Sequence, residues 1–205
     1  SVKYILRSRL LISREISHVE WLYSLSDDEL YDYKERQFLN LFGRAYRHSS
    51  FYREFYRNKG IEENDIRRLE DITKLPVLTK NIIKNSSESM LTLPRQLVFK
   101  ANTSGTTGTP LSVYHSYKAI RLEQAYNWVR RRRYGFTYGE KLASLRGNLG
   151  VNQFSAYIPV SNTLYLSSYQ ISDSLAQEYH SAIGKFKPKA IEGYPSSLYN
   201  LALAL

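Results

Sequence analysis

The sequence predicts an α/β fold: a helical amino-terminal region followed by alternating strands and helices, together forming part of a larger amino-terminal domain. Three observations carry that prediction. Apolar residues recur at three- and four-residue spacing early in the chain (Leu30, Tyr33, Phe38, Leu41, Phe42, Ala45), which marks the buried face of a helix. The character changes near Pro94, where short apolar runs such as Leu97-Val98-Phe99 and Leu142-Ala143-Ser144-Leu145 take over. Helical stretches then alternate with these runs.

Residues 1 to about 24 read as a basic packing helix with Ile5, Leu6, Leu10, Ile16 and Val19 along one side. Ser26-Asp27-Asp28-Glu29 is a capping box that opens the second helix. A helix over 51–58 stops at Gly60, and the stretch from Ile61 to Leu75 is charged and connective. Thr79 caps a short helix through about Ser86. Strands are expected at 97–99 and 111–114, joined by a hairpin-like loop. A helix from 118 to about 134 ends at Gly135. Further strands are expected at 142–145, 164–166 and 190–191. Ser172 is expected to cap a helix to about Phe186, and Pro195 suits the first turn of the last helix. The organisation is therefore a helical region over 1–93 and an α/β portion over 94–205. The chain starts at Ser1 and its last residues read as a helix cut in mid-course, so a fragment is expected.

Composition narrows the function classes. With 42% hydrophobic residues the chain can bury a core and is not a disordered segment. The absence of cysteine excludes disulfides, thiolate metal sites and a cysteine nucleophile, and is compatible with a cytoplasmic location. No apolar run approaches the roughly 18 residues that span a bilayer, so no transmembrane segment is expected. A net charge of +10 favours anionic partners: nucleotides, nucleic acid, acidic lipids or phosphorylated substrates. Arg130-Arg131-Arg132-Arg133 reads as a solvated helix end. Trp128 and Tyr134 flank it without a recognition motif, so no nucleic-acid partner is expected. His18, His48, His115 and His180 show no metal-ligand spacing, and no metal ligand is assigned. His115 alone lies close to the loop.

That loop, Thr103 to Pro110, carries the chemistry. Gly105 and Gly108 permit positive φ and close backbone approach. Thr103, Ser104, Thr106, Thr107 and Thr109 add hydroxyl donors, and successive N–H groups can line an anion-binding concavity. The loop holds no acid, base or nucleophile, so its work is positioning and charge stabilisation. It is not a Walker A loop, because Gly108 is followed by Thr109 and Pro110 and not by lysine. Arg146 and Tyr194 are candidate substrate contacts, each beside the end of an expected strand, where open α/β sheets place ligands.

The run Thr-Ser-Gly-Thr-Thr-Gly-Thr-Pro resembles the phosphate-binding signature of the adenylate-forming superfamily. The segments 51–56 and 69–80 resemble the region before the loop in phenylacetate-CoA ligases and in capsular polysaccharide proteins of the CapK type. Residues 187–198 resemble the CapK-type members more closely. One departure is Leu111 after Pro110, where many superfamily members carry lysine; the phenylacetate-CoA ligase branch often lacks it.

The resemblance implies that ATP and Mg²⁺ bind, that a substrate carboxylate attacks the α-phosphorus, and that pyrophosphate leaves an acyl-adenylate. The acyl group then passes to the thiol of CoA or to an amine, in a pathway of capsular or surface polysaccharide synthesis. Residues 103–109 would hold the departing phosphates. The adenine- and magnesium-binding Tyr-Gly-x-Thr-Glu type segment, the ribose-binding aspartate and the catalytic lysine are expected beyond Leu205. No catalytic residue is therefore assigned, and this piece alone is expected to be inactive. Self-association into a homo-oligomer is a further expectation. Two rival readings stay open: a non-catalytic scaffold with a vestigial loop, and a basic polyanion-binding module.

Overall fold

The computed structural model describes residues 12–102, 111–137, 139–146, 149 and 153–204. The chain divides into two compact units, one of residues 17–120 and one of residues 121–205 with the segment up to Ile16.

The 17–120 unit begins in helix α1 (Ser13–Leu22), the described part of the first expected helix. Helix α2 (Asp27–His48) opens on both halves of the capping box. The Glu29 N–H donates to Ser26 Oγ at 3.3 Å, and the Ser26 N–H donates to the Glu29 carboxylate at 2.8 Å. Helix α3 (Ser50–Arg57) starts from Ser49, whose hydroxyl oxygen accepts the Tyr52 N–H. Phe42, Tyr46, Tyr56 and Ile66 form the core here, with Phe38, Tyr52, Phe55 and Leu75 packed against them. The rings of Phe42 and Tyr56 lie 5.3 Å apart, within the range of favourable aromatic pairing.

The stretch read as connective is more ordered than expected. It holds two 3-10 turns, Glu63–Asp65 and Leu69–Lys74. The second contains the buried Asp71, whose carboxylate accepts the N–H groups of Arg67 at 2.8 Å and Arg68 at 3.2 Å and meets the Lys74 ammonium at 3.0 Å. The Arg67 N–H above all, with the lysine, holds its pKa down to about 2. Helix α4 (Lys80–Ser86) starts at Thr79 as expected. Strands β1 (Val98–Asn102) and β2 (Ser112–Ser116) then pair antiparallel, from Val98↔Ser116 to Asn102↔Ser112. Leu97 belongs to a 3-10 turn (Arg95–Leu97), its N–H bonded to the Pro94 carbonyl, so the strand starts one residue later than the apolar run.

Helix α5 (Tyr117–Arg133) leads into the second unit and stops before Gly135, which takes φ +74°. Strands β3 (Leu142–Arg146), β4 (Ser155–Ile158), β5 (Thr163–Ser167) and β6 (Ala190–Glu192) form a sheet in the order β4-β5-β3-β6. The β3 strand runs parallel to both β5 and β6, while β4 is antiparallel to β5. Helix α6 (Ala176–Phe186) joins β5 to β6, and α7 (Pro195–Ala204) follows with proline in its first turn.

Ser172 does not cap α6. Its carbonyl accepts the Leu175 N–H and starts a 3-10 turn (Asp173–Leu175), so the helix opens at Ala176 with no side-chain cap. Helix α6 ends on Lys187 in the left-handed conformation at φ 50°, its N–H bonded to the Ile183 carbonyl at 2.8 Å. The core joins Leu145, Leu164 and Leu166 of the sheet to Tyr179 of α6 and Leu201 of α7.

Candidate functional site

Residues Thr103, Ser104, Gly105, Thr106, Thr107, Gly108 and Thr109 lie outside the described residues, but both of their flanks are described. The β1–β2 pairing continues to Asn102↔Ser112, and the Ser112 hydroxyl donates to the Asn102 side-chain Oδ1 at 3.1 Å. The described flanks of the Gly/Thr segment are thus two paired antiparallel strands. Strand β2 is braced from outside: the Tyr114 phenol donates to the Glu88 carboxylate, and the Arg95 guanidinium lies over the Tyr114 ring at 4.8 Å. The hydrogen bond to Glu88 raises the pKa of that phenol. His115 is exposed on β2, in register with Phe99.

In the second unit the candidates gather where the parallel strands end. Arg146 is the last residue of β3 and pairs with Ser167 at the end of β5; its side chain lies outside what is described. Ser144 of β3 pairs with Glu192 of β6, so Arg146 and Tyr194 both lie two residues past one register pair. The pairing brings their backbones to the same edge. Tyr194 is 68% exposed there.

Gly193, between strand and tyrosine, sits tightly against its neighbours. A Cβ at that position would meet the Leu145 Cβ at 3.1 Å and the Leu198 side chain at 3.4 Å. The Leu198 N–H bonds to the Tyr194 carbonyl and carries the turn into α7.

Sequence reasoning missed the group that anchors this edge. Arg131 sits in the arginine run read as solvated, yet its side chain is only 16% exposed. It reaches Glu192 with two nitrogens, at 2.7 and 3.2 Å, and the Ser144 hydroxyl donates to the same carboxylate at 3.1 Å. The guanidinium also lies over the Trp128 ring at 5.1 Å. The carboxylate that fixes this arginine lies 61 residues away in sequence, so the run of arginines by itself does not single it out. At the end of β5 the Ser167 carbonyl accepts the Tyr179 phenol of α6 at 2.6 Å, and burial pushes the phenol's pKa up. Beyond β5 a cavity of about 490 Å³ opens between Phe154, Tyr169, Ile171, Leu175 and Glu178. Among the described residues no cluster of three or more His, Cys, Asp or Glu could hold a metal ion, and no helix is long and apolar enough to cross a membrane.

No protein-family model matches the chain. In sequence it is similar to Protein CapK of Staphylococcus aureus: 23% identity over 181 residues, covering 85% of this chain and 40% of that protein. A stretch of 78 residues is 33% identical to phenylacetate-coenzyme A ligase of Aromatoleum evansii, covering 37% of this chain and 18% of the ligase. In fold it is similar to 2-hydroxyisobutyryl-CoA ligase in complex with 2-HIB-AMP and CoA. The TM-score is 0.60 against the thioesterification state, at 17% identity, over 88% of this chain and 40% of the ligase. Against an open conformation it is 0.57, at 16% identity, over 88% of this chain and 44% of the ligase. The chain thus spans about two fifths of the length of CapK. The resemblance to the adenylate-forming superfamily holds in sequence and in fold, and the chain has the α/β fold of the amino-terminal region of such a ligase.

Proposed function

We propose, from this kinship with adenylate-forming ligases, that the protein containing this chain activates a carboxylic acid with ATP through an acyl-adenylate. The observation that carries the reading is the β1–β2 hairpin, whose pairing runs to Asn102↔Ser112 and leaves the Gly/Thr segment as its connection. A connection rich in hydroxyls and backbone N–H groups, with two glycines, suits the oxygens of a polyphosphate. Residues 103–109 hold the β- and γ-phosphates with neutral donors, which fix the geometry of an in-line displacement at the α-phosphorus. Mg²⁺, when bound, supplies countercharge to those phosphates; its ligand belongs to the remainder of the enzyme, as do the ribose-binding aspartate and the catalytic lysine.

Arg146 serves a substrate carboxylate or phosphate, and Tyr194 lines the acyl side. Their common position at the carboxyl edge of parallel strands supports this, because open α/β sheets bind ligands there. The acceptor is CoA or an amine, and the CapK kinship favours a role in capsular or surface polysaccharide synthesis in the cytoplasm. The 205-residue chain alone does not turn over on this reading, which the match to about two fifths of the length of CapK supports.

The test is calorimetric binding of ATP and pyrophosphate to the full-length protein, with ATP–pyrophosphate exchange alongside. Gly105→Val and Gly108→Val are expected to abolish both, because a side chain blocks the close backbone approach. Unchanged nucleotide binding in both variants overturns the loop assignment. Exchange activity in the isolated chain overturns the claim that it is inactive. Nucleic-acid binding with a steep salt slope, and no nucleotide binding, would favour the polyanion reading instead.

A further inference from the structure

We propose that the sheet edge where β3, β5 and β6 begin docks on an anionic phospholipid surface. It is the edge opposite Arg146 and Tyr194, and the proposal does not depend on the nucleotide reading. Parallel strands all start at one edge, and the helices that precede β3 and β6 deliver their carboxyl ends to it. The β4–β5 turn (Pro159–Ser161) joins them because β4 is antiparallel. Backbone contacts knit these pieces together. The Leu142 N–H donates to the Asn162 carbonyl at 3.1 Å and the Lys189 N–H to the Lys141 carbonyl at 2.8 Å. The Asn162 amide donates to the Gly139 carbonyl at 2.7 Å.

The charge on this edge is one-sided. Segments 130–142, 157–163 and 184–190 carry four arginines and four lysines against one carboxylate, Glu140, which pairs with Lys189. Arg131 is turned away to Glu192, while Lys141, Lys185, Lys187 and Lys189 are exposed. Lys187 occupies a left-handed position that ordinarily favours glycine, so a cation stands where the backbone would be more relaxed without a side chain.

Apolar and aromatic groups stand among these charges. Val160 is 54% exposed on the β4–β5 turn, Tyr134 is 87% exposed after α5, and Tyr157 is half exposed. Exposed lysines on the same edge as an exposed valine and tyrosines match a lipid interface, where basic stems and phenols bridge an apolar layer and water. A nucleic acid would use the cations but leaves Val160 without a role, and the edge carries no recognition motif.

The experiment is co-sedimentation of the 205-residue chain with vesicles of phosphatidylcholine plus phosphatidylglycerol, against phosphatidylcholine alone. Binding is expected to the mixed vesicles only and to weaken as salt rises. Lys185→Glu with Lys187→Glu is expected to lower the partition coefficient by about 25-fold or more, at about fivefold per cation. The milder pair Lys185→Gln with Lys187→Gln, checked by circular dichroism, guards against misfolding. Val160→Ser with Tyr134→Ser keeps the charge, and is expected to weaken vesicle binding while leaving retention on duplex DNA unchanged. Equal binding to neutral vesicles, or indifference to the lysine variants, overturns the proposal. So does full vesicle affinity in the Val160/Tyr134 variant combined with displacement by duplex DNA, which assigns the edge to nucleic acid.

Discussion

The core of the 17–120 unit is built from rings, Phe42, Tyr46 and Tyr56 around Ile66, whereas the sheet unit closes on Leu145, Leu164, Leu166 and Leu201 around one phenol. The tyrosines differ accordingly. In the helical unit two of them reach carboxylates, Tyr46 to Glu62 and Tyr31 to Glu70. In the sheet unit Tyr179 is fully buried and spends its hydroxyl on the Ser167 carbonyl. Amphipathic rings can fill an interior while their hydroxyls reach polar partners at its rim. A sheet covered by helices has no nearby water, so each polar atom needs a partner inside.

That contrast can be broken experimentally. Phe42→Ala is expected to cost about 3–5 kcal/mol and Leu166→Ala about 2–5 kcal/mol, read by urea denaturation with limited proteolysis of each unit. Each lesion should loosen its own unit first; simultaneous loss of both units in either variant would break the two-unit description. Tyr179→Phe leaves the Ser167 carbonyl without its bond and is expected to cost about 1–3 kcal/mol, whereas Tyr31→Phe should change stability at neutral pH far less. Equal losses would erase the distinction between buried and outward phenols. Ser26→Ala is expected to cost about 1 kcal/mol through the lost cap, visible as a lower urea midpoint.

The last comparison is one of titration, read at the two ends of the pH range. The folded pKa of Asp71, about 2, lies below its ordinary value of 3.8. The unfolded chain therefore binds the proton more tightly, and Asp71 contributes stability above about pH 4 that is lost as pH falls toward 2. Tyr31 behaves oppositely. Its hydrogen bond to Glu70 pushes its pKa up to about 12, so its contribution is complete below pH 10 and is lost as pH rises through 12. Asp71→Asn should flatten the acid limb, and Tyr31→Phe the alkaline limb, of a stability–pH curve.

Much of the frame was legible because it rests on local rules. The capping box at Ser26, the stop at Gly135, the proline opening α7 and the hairpin around 103–110 all involve neighbours in sequence. What escaped depends on distant partners. Strand β4 is a short edge strand defined only by its antiparallel pairing with β5. Asp71 gains its importance from backbone amides that a sequence does not display. Arg131 looks like three neighbouring arginines until Glu192 is brought beside it. Of the candidate site, the hairpin flanks and the strand-end position of Arg146 and Tyr194 were readable, whereas the close approach of Gly193 to Leu145 beside Tyr194 was not.

The left-handed Lys187 carries a practical consequence for anyone engineering this chain. Exchange for glycine relieves a backbone penalty of about 1 kcal/mol, which makes it an obvious choice in a thermostability campaign. The same exchange deletes a cation from the lysine edge, so selection on melting temperature alone would steadily discharge that face. Screens on this protein should therefore score heat resistance and surface adhesion together.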